Sequence, residues 1–287
     1  MFAETHQDAG VYYLFEPATD TLRLVGRLYP ELNSPSALGN RQAITYRARD
    51  GTRVPAYLTL PADAEARNLP TILLVHGGPH ARDTFAFDWW ASFLASRGYA
   101  VLQPNYRGST GYGSTWFEAG RLGWGDGVMQ TDVEDGLAAL VRGGIADPDR
   151  VCIMGASYGG YAAFAGATIT PDAYDCAIAI AGVSDLQRML DESVRLGGAS
   201  GAGAEWWAGS IGDRVDDRDR IRRISPANLA ANVNIPVLIM HGPNDTVVPI
   251  AQSRIMRDRL QEAGKTVRYV ELAGDDHWLS LASTRTQ

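Results

Sequence analysis

A serine set between glycines is the first feature of this 287-residue chain that could do chemistry. Gly155-Ala156-Ser157-Tyr158-Gly159 fits G-x-S-x-G, and Gly160 extends it. Alone, the pattern is also that of a plain glycine-rich turn. Its setting separates the two readings: the apolar run RVCIM precedes it and the small-residue run YAAFAGAT follows. A strand-to-helix turn this tight needs glycine two residues either side of the serine, because no side chain fits there. Such a turn lifts the serine oxygen out of a sheet and aims the next helix's N-terminus at it. The chemistry is nucleophilic attack through an acyl-serine intermediate.

A serine hydroxyl attacks at neutral pH only with help from a general base. The chain has five histidines. His6 lies in a terminal segment, His76 and His80 flank a Gly-Gly-Pro turn, and His241 closes an apolar run and reads as structural. In a sheet of this type the nucleophile, acid and base follow in that order along the chain. His277, in VRYVELAGDDH, is therefore the candidate base. The acid should follow the preceding strand, and PVLIMHG runs into Pro243-Asn244-Asp245. Asp275 and Asp276 compete, but they adjoin the histidine, whereas a carboxylate that orients an imidazole through Nδ1–H usually comes from another loop. Asp245 is preferred. LLVHGGPH (73–80) ends a strand in a turn that can expose a backbone N–H, or is simply a permissive glycine turn. The N–H of Tyr158, the residue after the nucleophile, is the other candidate oxyanion donor.

These residues need a scaffold, and the pattern supplies one. Up to residue 60 the chain reads as strands, VYYLF (11–15), TLRLVGRLY (21–29), QAITYRARD (42–50) and VPAYLTL (54–60), with turns at Pro17–Asp20, Asn33–Pro35 and Asp50–Gly51. From Pro70 onward, short apolar runs of the buried-strand type at 71–76, 99–104, 150–155, 176–182, 236–242 and 266–274 alternate with helices near 86–97, 130–143, 158–169 and 250–263. Alternation of this kind implies βαβ crossovers and a mostly parallel sheet covered on both faces. The segment 183–235 is less regular and is expected to form a cap or pocket wall.

Composition narrows the function. The balance of 26 basic and 33 acidic residues, net −7, argues against nucleic acid or an anionic membrane surface as partner. No apolar run reaches the ~18 residues of a membrane helix, and MFAETHQDAG has no basic or apolar leader, so the expected location is cytoplasmic. Cys152 and Cys176 lie in apolar runs and are expected to be buried free thiols. The histidines and cysteines lack ligand spacing, and no phosphate loop or dinucleotide fingerprint occurs, so neither metal nor cofactor is expected.

Five motifs in order, HGGPH (76–80), Asn105-Tyr106-Arg107-Gly108-Ser109-Thr110-Gly111-Tyr112-Gly113, GASYGGY (155–161), HGPNDTVVP (241–249) and GDDH (274–277), resemble the catalytic domain of the prolyl oligopeptidase family. The acylaminoacyl-peptidase and dipeptidyl-peptidase branch is the most similar, over roughly residues 42–283. The resemblance implies an α/β-hydrolase fold with a mostly parallel central sheet and helices on both faces. It implies Ser157 as nucleophile, Asp245 as orienting acid and His277 as base, with Gly78 and Tyr158 as oxyanion donors. The family's pocket wall maps to the stretch from Val183 to Trp207, including Leu186 and Trp206. Residues 41–287 are the expected catalytic domain, and residues 1–40 a short β segment resembling the end of the β-propeller that family members carry. The family's helix after the catalytic histidine has little room before Gln287, so both ends suggest a fragment or a minimal hydrolase. Uncovered apolar surface would favour a homo-oligomer. The expected activity is that of a serine peptidase on short peptides or acyl-peptides; the alternatives are a carboxylesterase on small acyl esters and an inactive or partner-binding fragment.

Overall fold

The computed structural model describes residues 1–32 and 38–284; the turn expected at Asn33–Pro35 lies outside the described residues. Strands β1 (Phe2–Thr5), β2 (Asp8–Glu16) and β3 (Thr21–Arg27) form an antiparallel sheet of their own. Beyond them come β4 (Asn40–Arg47), β5 (Arg53–Leu60), β6 (Leu69–Val75), α1 (Trp89–Ser96), β7 (Ala100–Pro104), α2 (Ser114–Ala119) and α3 (Val128–Arg142). The second half runs β8 (Ala146–Ala156), α4 (Tyr158–Ile169), β9 (Cys176–Ile180), α5 (Leu186–Gly197), α6 (Ala202–Ile211), α7 (Arg218–Arg223), β10 (Val237–His241), α8 (Ala251–Glu262) and β11 (Val267–Glu271).

Strands β4 to β11 build one eight-stranded sheet in the order β11-β10-β9-β8-β6-β7-β5-β4. The pairings from β11 across to β7 are parallel, and β5 and β4 close one edge antiparallel. Apolar residues alternate along each inner strand between two buried layers. Leu73, Val75, Ile153, Ala177, Ala179 and Ile239 pack with α3, α4 and α8 in the main core. Ile72, Leu74 and Val101 point the other way and meet Ala91 of α1. Helices therefore cover both faces, as an α/β-hydrolase sheet requires, but unequally. On the α1 side, Met154, Ile180, Leu238, Met240 and Val270 line a cavity of about 480 Å³ beside Trp89 and Phe93. Among the described residues no helix is long and apolar enough to cross a membrane.

The sheet order explains the site's position. The chain crosses from β6 through β7 to β8 and then moves on to β9, so β6 and β8 become neighbours and their C-terminal ends bring Val75 level with Gly155. Ligands in open α/β sheets bind at that carboxyl edge. The segment 183–235, expected to be irregular, holds the three α-helices α5 to α7 and a 3₁₀ helix at Pro226–Asn232. Asp185 caps α5 by accepting from the Arg188 N–H at 3.0 Å.

The expectation of two free thiols is corrected: Cys152 and Cys176 form a disulfide. The parallel register of β8 and β9 sets these residues directly opposite, with Cα atoms 4.6 Å apart. Their apolar surroundings say nothing of that adjacency, which depends on a crossover through α4. Cross-linking residues 24 apart removes denatured-state freedom equivalent to about 3 kcal/mol in the chain-entropy description. Thermal unfolding with and without a reductant, or of Cys152→Ala/Cys176→Ala, should therefore show a fall in Tm of roughly 5–10 °C on loss of the bond. An unchanged Tm would show that the bond does not constrain the unfolded chain.

Candidate active site

Ser157 stands at the junction of β8 and α4 with φ 58° and ψ −118°, a left-handed backbone that a residue with a side chain rarely adopts. Its own N–H donates to the Ile180 carbonyl at 2.9 Å. The glycines around it are a packing requirement. A Cβ on Gly155 would lie 2.5 Å from the Val75 carbonyl oxygen, and one on Gly159 would overlap the same oxygen. On Gly160 it would meet the Gly182 Cα at 2.7 Å. Tyr158 is the first residue of α4, so its N–H belongs to the group that has no intrahelical acceptor and carries the helix's positive end.

The Gly77-Gly78 turn leans on this elbow from β6. A Cβ on Gly77 would come within 3.1 Å of the Ala156 carbonyl oxygen and 3.4 Å of the Ser157 Cβ. Gly78 has φ +120°, a conformation open to glycine. Below the turn, His76 Nε2 meets Ser109 Oγ at 2.9 Å and its ring stacks on Tyr106 at 4.3 Å. Burial pushes the His76 imidazole down to about 4, so it is neutral near pH 7. The Asp83 N–H donates to Asn105 Oδ1 at 2.8 Å and Asn105 Nδ2 donates to the Asp83 carbonyl at 3.2 Å, which ties the segment after HGGPH to the start of the Asn105–Gly113 stretch. Arg107 in turn grips the fully buried Asp132 carboxylate of α3, with Nη2 at 2.6 Å from Oδ1 and Nε at 3.0 Å from Oδ2.

Asp245 and His277 come from two loops packed backbone against backbone. The Asn244 N–H donates to the Asp275 carbonyl at 3.0 Å, and Asn244 Nδ2 donates to the Gly274 carbonyl at 2.9 Å. His277 Nδ1 lies 2.6 Å from Asp245 Oδ2. Asp245 Oδ1 accepts the Val247 and Val248 N–H groups, each at 2.8 Å. Burial alone would push the Asp245 carboxyl up, but hydrogen bonds from His241, His277 and the Val248 N–H outweigh it and hold the group well below the usual carboxylate range. Asp275 and Asp276 are engaged within their own loop, Asp275 by Thr284 and the Leu281 N–H and Asp276 by Ser280. The direct contact thus runs between Asp245 and His277. Among the described residues no hydrogen bond joins Ser157 to His277.

The four pocket residues divide. Val183 and Leu186 are fully buried in the main core, so neither side chain offers surface to a substrate in this conformation. Trp206 and Trp207 of α6 are accessible, and their rings meet edge to face at 4.8 Å. Trp206 lines a cavity of about 240 Å³ with His80 and Phe117. Trp207 lines another of about 280 Å³ with Met189 and with Thr246 and Val247, the two residues that follow Asp245 in the chain. Two further contacts escape a reading of the sequence: Arg107 with Asp132, and His241 Nε2 with Asp245 Oδ2 at 3.0 Å. The spacing of His241 and Asp245, four residues in a turn, was the only available signal. No group of three or more histidine, cysteine or acidic residues able to hold a metal ion occurs among the described residues.

With this geometry in hand, a sequence profile described as the prolyl oligopeptidase family matches residues 85–287. The chain belongs to that family. It is 37% identical over 276 residues to dipeptidyl aminopeptidase BIII of Pseudoxanthomonas mexicana, which covers 93% of this chain and 39% of the relative. Dipeptidyl peptidase family member 6 of Caenorhabditis elegans is 31% identical over 296 residues, with 92% and 38% covered. Among solved structures, a puromycin-hydrolyzing peptidase of Mycobacterium tuberculosis superposes with a TM-score of 0.88 at 30% identity, over 99% of this chain and 43% of that one. The chain spans about two fifths of the length of the curated relatives it matches.

The loop beside the oxyanion turn yields a pH prediction. Burial, and then the neighbouring Asp88, push the Asp83 carboxyl up to about 7, with Arg41 and Gln103 offsetting part of the effect. An unfolded aspartate ionises near 3.9. As pH rises from about 4 to 7 the unfolded chain releases this proton before the folded one, so folding stability falls across that window. Asp83→Asn removes the titration while keeping the shape. Its Tm relative to the parent should be higher at pH 8 than at pH 4; a difference independent of pH would show that the carboxyl is not held up.

Proposed function

We propose that this chain is the catalytic domain of a serine peptidase that cleaves short peptides or acyl-peptides by acyl transfer. The observation that carries the reading is the 2.6 Å contact of His277 Nδ1 with Asp245 Oδ2, made on the carboxyl edge of the sheet where the Ser157 elbow stands. A carboxylate accepts only, so Nδ1 carries the hydrogen and Nε2 is left free to accept one. In the proposed reaction Ser157 Oγ attacks the scissile carbonyl carbon and its proton passes to His277 Nε2. The developing oxyanion is met by the N–H groups of Tyr158 and Gly78. Collapse of the tetrahedral intermediate breaks the C–N bond, and the leaving amine takes the proton from His277. Water then repeats the sequence on the acyl-enzyme. Asp245 stays ionised throughout, orienting the ring and stabilising the imidazolium.

The names of the relatives support a peptidase, since they include two dipeptidyl peptidases, an uncharacterized peptidase of Bacillus subtilis and an acylamino-acid-releasing enzyme. The acyl side of the substrate is assigned to the cavity between Met189, Trp207, Thr246 and Val247, because Thr246 and Val247 belong to the loop that carries Asp245. Cleavage of a small ester would use the same groups with a better leaving group.

Labelling of the intact chain by a fluorophosphonate probe tests the reading directly. Ser157→Ala should abolish labelling and lower kcat by roughly 10⁴–10⁶ on both a p-nitrophenyl ester and a peptide amide with the same acyl group. His277→Ala should be nearly as damaging. Asp245→Asn should also cost heavily, because the amide favours the wrong imidazole tautomer, and Asp276→Asn much less. Turnover unchanged in Ser157→Ala would refute the mechanism.

A further inference from the structure

His241 is one of the most enclosed polar groups in the chain, with its side chain and that of Asp245 both without solvent exposure. Its Nε2 lies 3.0 Å from Asp245 Oδ2 and 3.0 Å from the Val248 carbonyl oxygen. Both partners accept only, so Nε2 carries a hydrogen. On the ring's other edge Nδ1 meets the buried Ser253 of α8, whose hydroxyl Oγ lies at 2.7 Å. Three contacts on two edges fix the hydrogen on Nε2 and the rotation of the ring.

We propose that His241 is a positioning residue for the acyl-transfer reaction, acting through the Asp245 oxygen that orients His277 and anchored in turn on Ser253. The inference rests on the reading of Ser157, Asp245 and His277 as a triad. A histidine that only filled the core would be satisfied by Ser253 and the Val248 carbonyl. The third contact is the telling one, because it falls on the same carboxylate oxygen that receives His277 Nδ1. Oδ1 is already held by two backbone N–H groups, so the His241 bond completes a four-donor cage that leaves the carboxylate one orientation.

The second donor also has an electrostatic consequence. An oxygen shared between two N–H groups is a weaker acceptor toward each, so His241 moderates the attraction between Asp245 and a protonated His277. Without it, the carboxylate would hold the proton on His277 to higher pH, and the base would be free over a narrower range. Other charged groups near the pair are already engaged. Asp275 bonds to Thr284 and the Leu281 N–H, Asp276 to Ser280, and on the outer side Glu271 of β11 pairs with Arg254 of α8 at 2.9 Å.

The experiment compares the parent chain with His241→Phe, which keeps a ring but no donor, and His241→Gln, whose amide can return an N–H near the Nε2 position. kcat and KM for a p-nitrophenyl ester are measured across pH, with folding checked by circular dichroism. His241→Phe should lose about 10- to 100-fold in kcat with KM little changed, as expected for one hydrogen bond to a charged group. The acidic limb of its kcat/KM profile should move to higher pH, and His241→Gln should recover most of both effects. An acidic limb that stays in place in His241→Phe, or equal losses in the two variants, would overturn the proposal. If His241→Phe does not fold, Ser253→Ala decides: an upward shift of the limb with a smaller loss in kcat supports the chain of contacts, and an unmoved limb refutes it. A parent that takes the fluorophosphonate label and cleaves the ester while the limb stays put removes the role of His241 alone; a parent that does neither removes the triad reading with it.

Discussion

The approach of backbone to backbone at the Val75 carbonyl sets the architecture of the candidate site. Gly155 and Gly159, on either side of Ser157, both face that one oxygen at distances that exclude a Cβ. The end of β6, the turn after β8 and the start of α4 therefore close into a single unit. The positive φ of Ser157 is the geometric result of forcing a strand to become a helix in so little space. Because the Gly77-Gly78 turn grows out of the same β6, one contact region places the nucleophile and both proposed oxyanion donors. Because these contacts are main chain against main chain, no change of side-chain rotamer can relax them.

The acid and base are held differently. Their loops are joined by the two bonds of Asn244 and by the close passage of Gly242 against Asp275. The Asp245 carboxylate is then surrounded by donors from three directions. Burying a charge is tolerable only when such donors are complete. Asp132 follows the same rule with Arg107, and this pair anchors the stretch from Asn105 to Gly113 onto α3. Buried carboxylates thus serve twice as the fixed points on which loops are organised.

The parallel strands were legible because such a strand leaves a short apolar run bounded by turn residues, and those runs coincide with β6 through β11 to within a few residues at their ends. The antiparallel β4 and β5 were legible from β-rich runs set off by the Asp50–Gly51 turn. The helix at 158–169 was legible for a similar reason, being buried on every side. Strand β1 was not, since FAET carries no apolar run and exists by pairing with β2. Helix α6 was hidden by its glycines and α7 by a dense charge run, whereas α5 does carry an apolar face, Leu186, Met189 and Leu190, within the stretch that reads as irregular. At the site, chain order and loop position were enough to nominate Asp245 over its neighbours and to link it with His277. The attachment of His241 to Asp245 is local, four residues apart in one turn, but the burial of Val183 and Leu186 and the bond between Cys152 and Cys176 depend on which strand lies beside which. That is information carried by crossovers, not by local spacing.

The disulfide has a topological consequence. The stretch it encloses contains the serine elbow and the whole of α4, so the bond closes a covalent ring whose rim passes through the nucleophile. A break in the main chain anywhere on that rim would give two polypeptides that remain one molecule, with the segment bearing Ser157 still tethered to the strands that aim it. Only a second event, reduction of the bond, would let the halves part. Cleavage and release at the centre of the sheet are therefore separate events in this protein, and the second is governed by thiol chemistry.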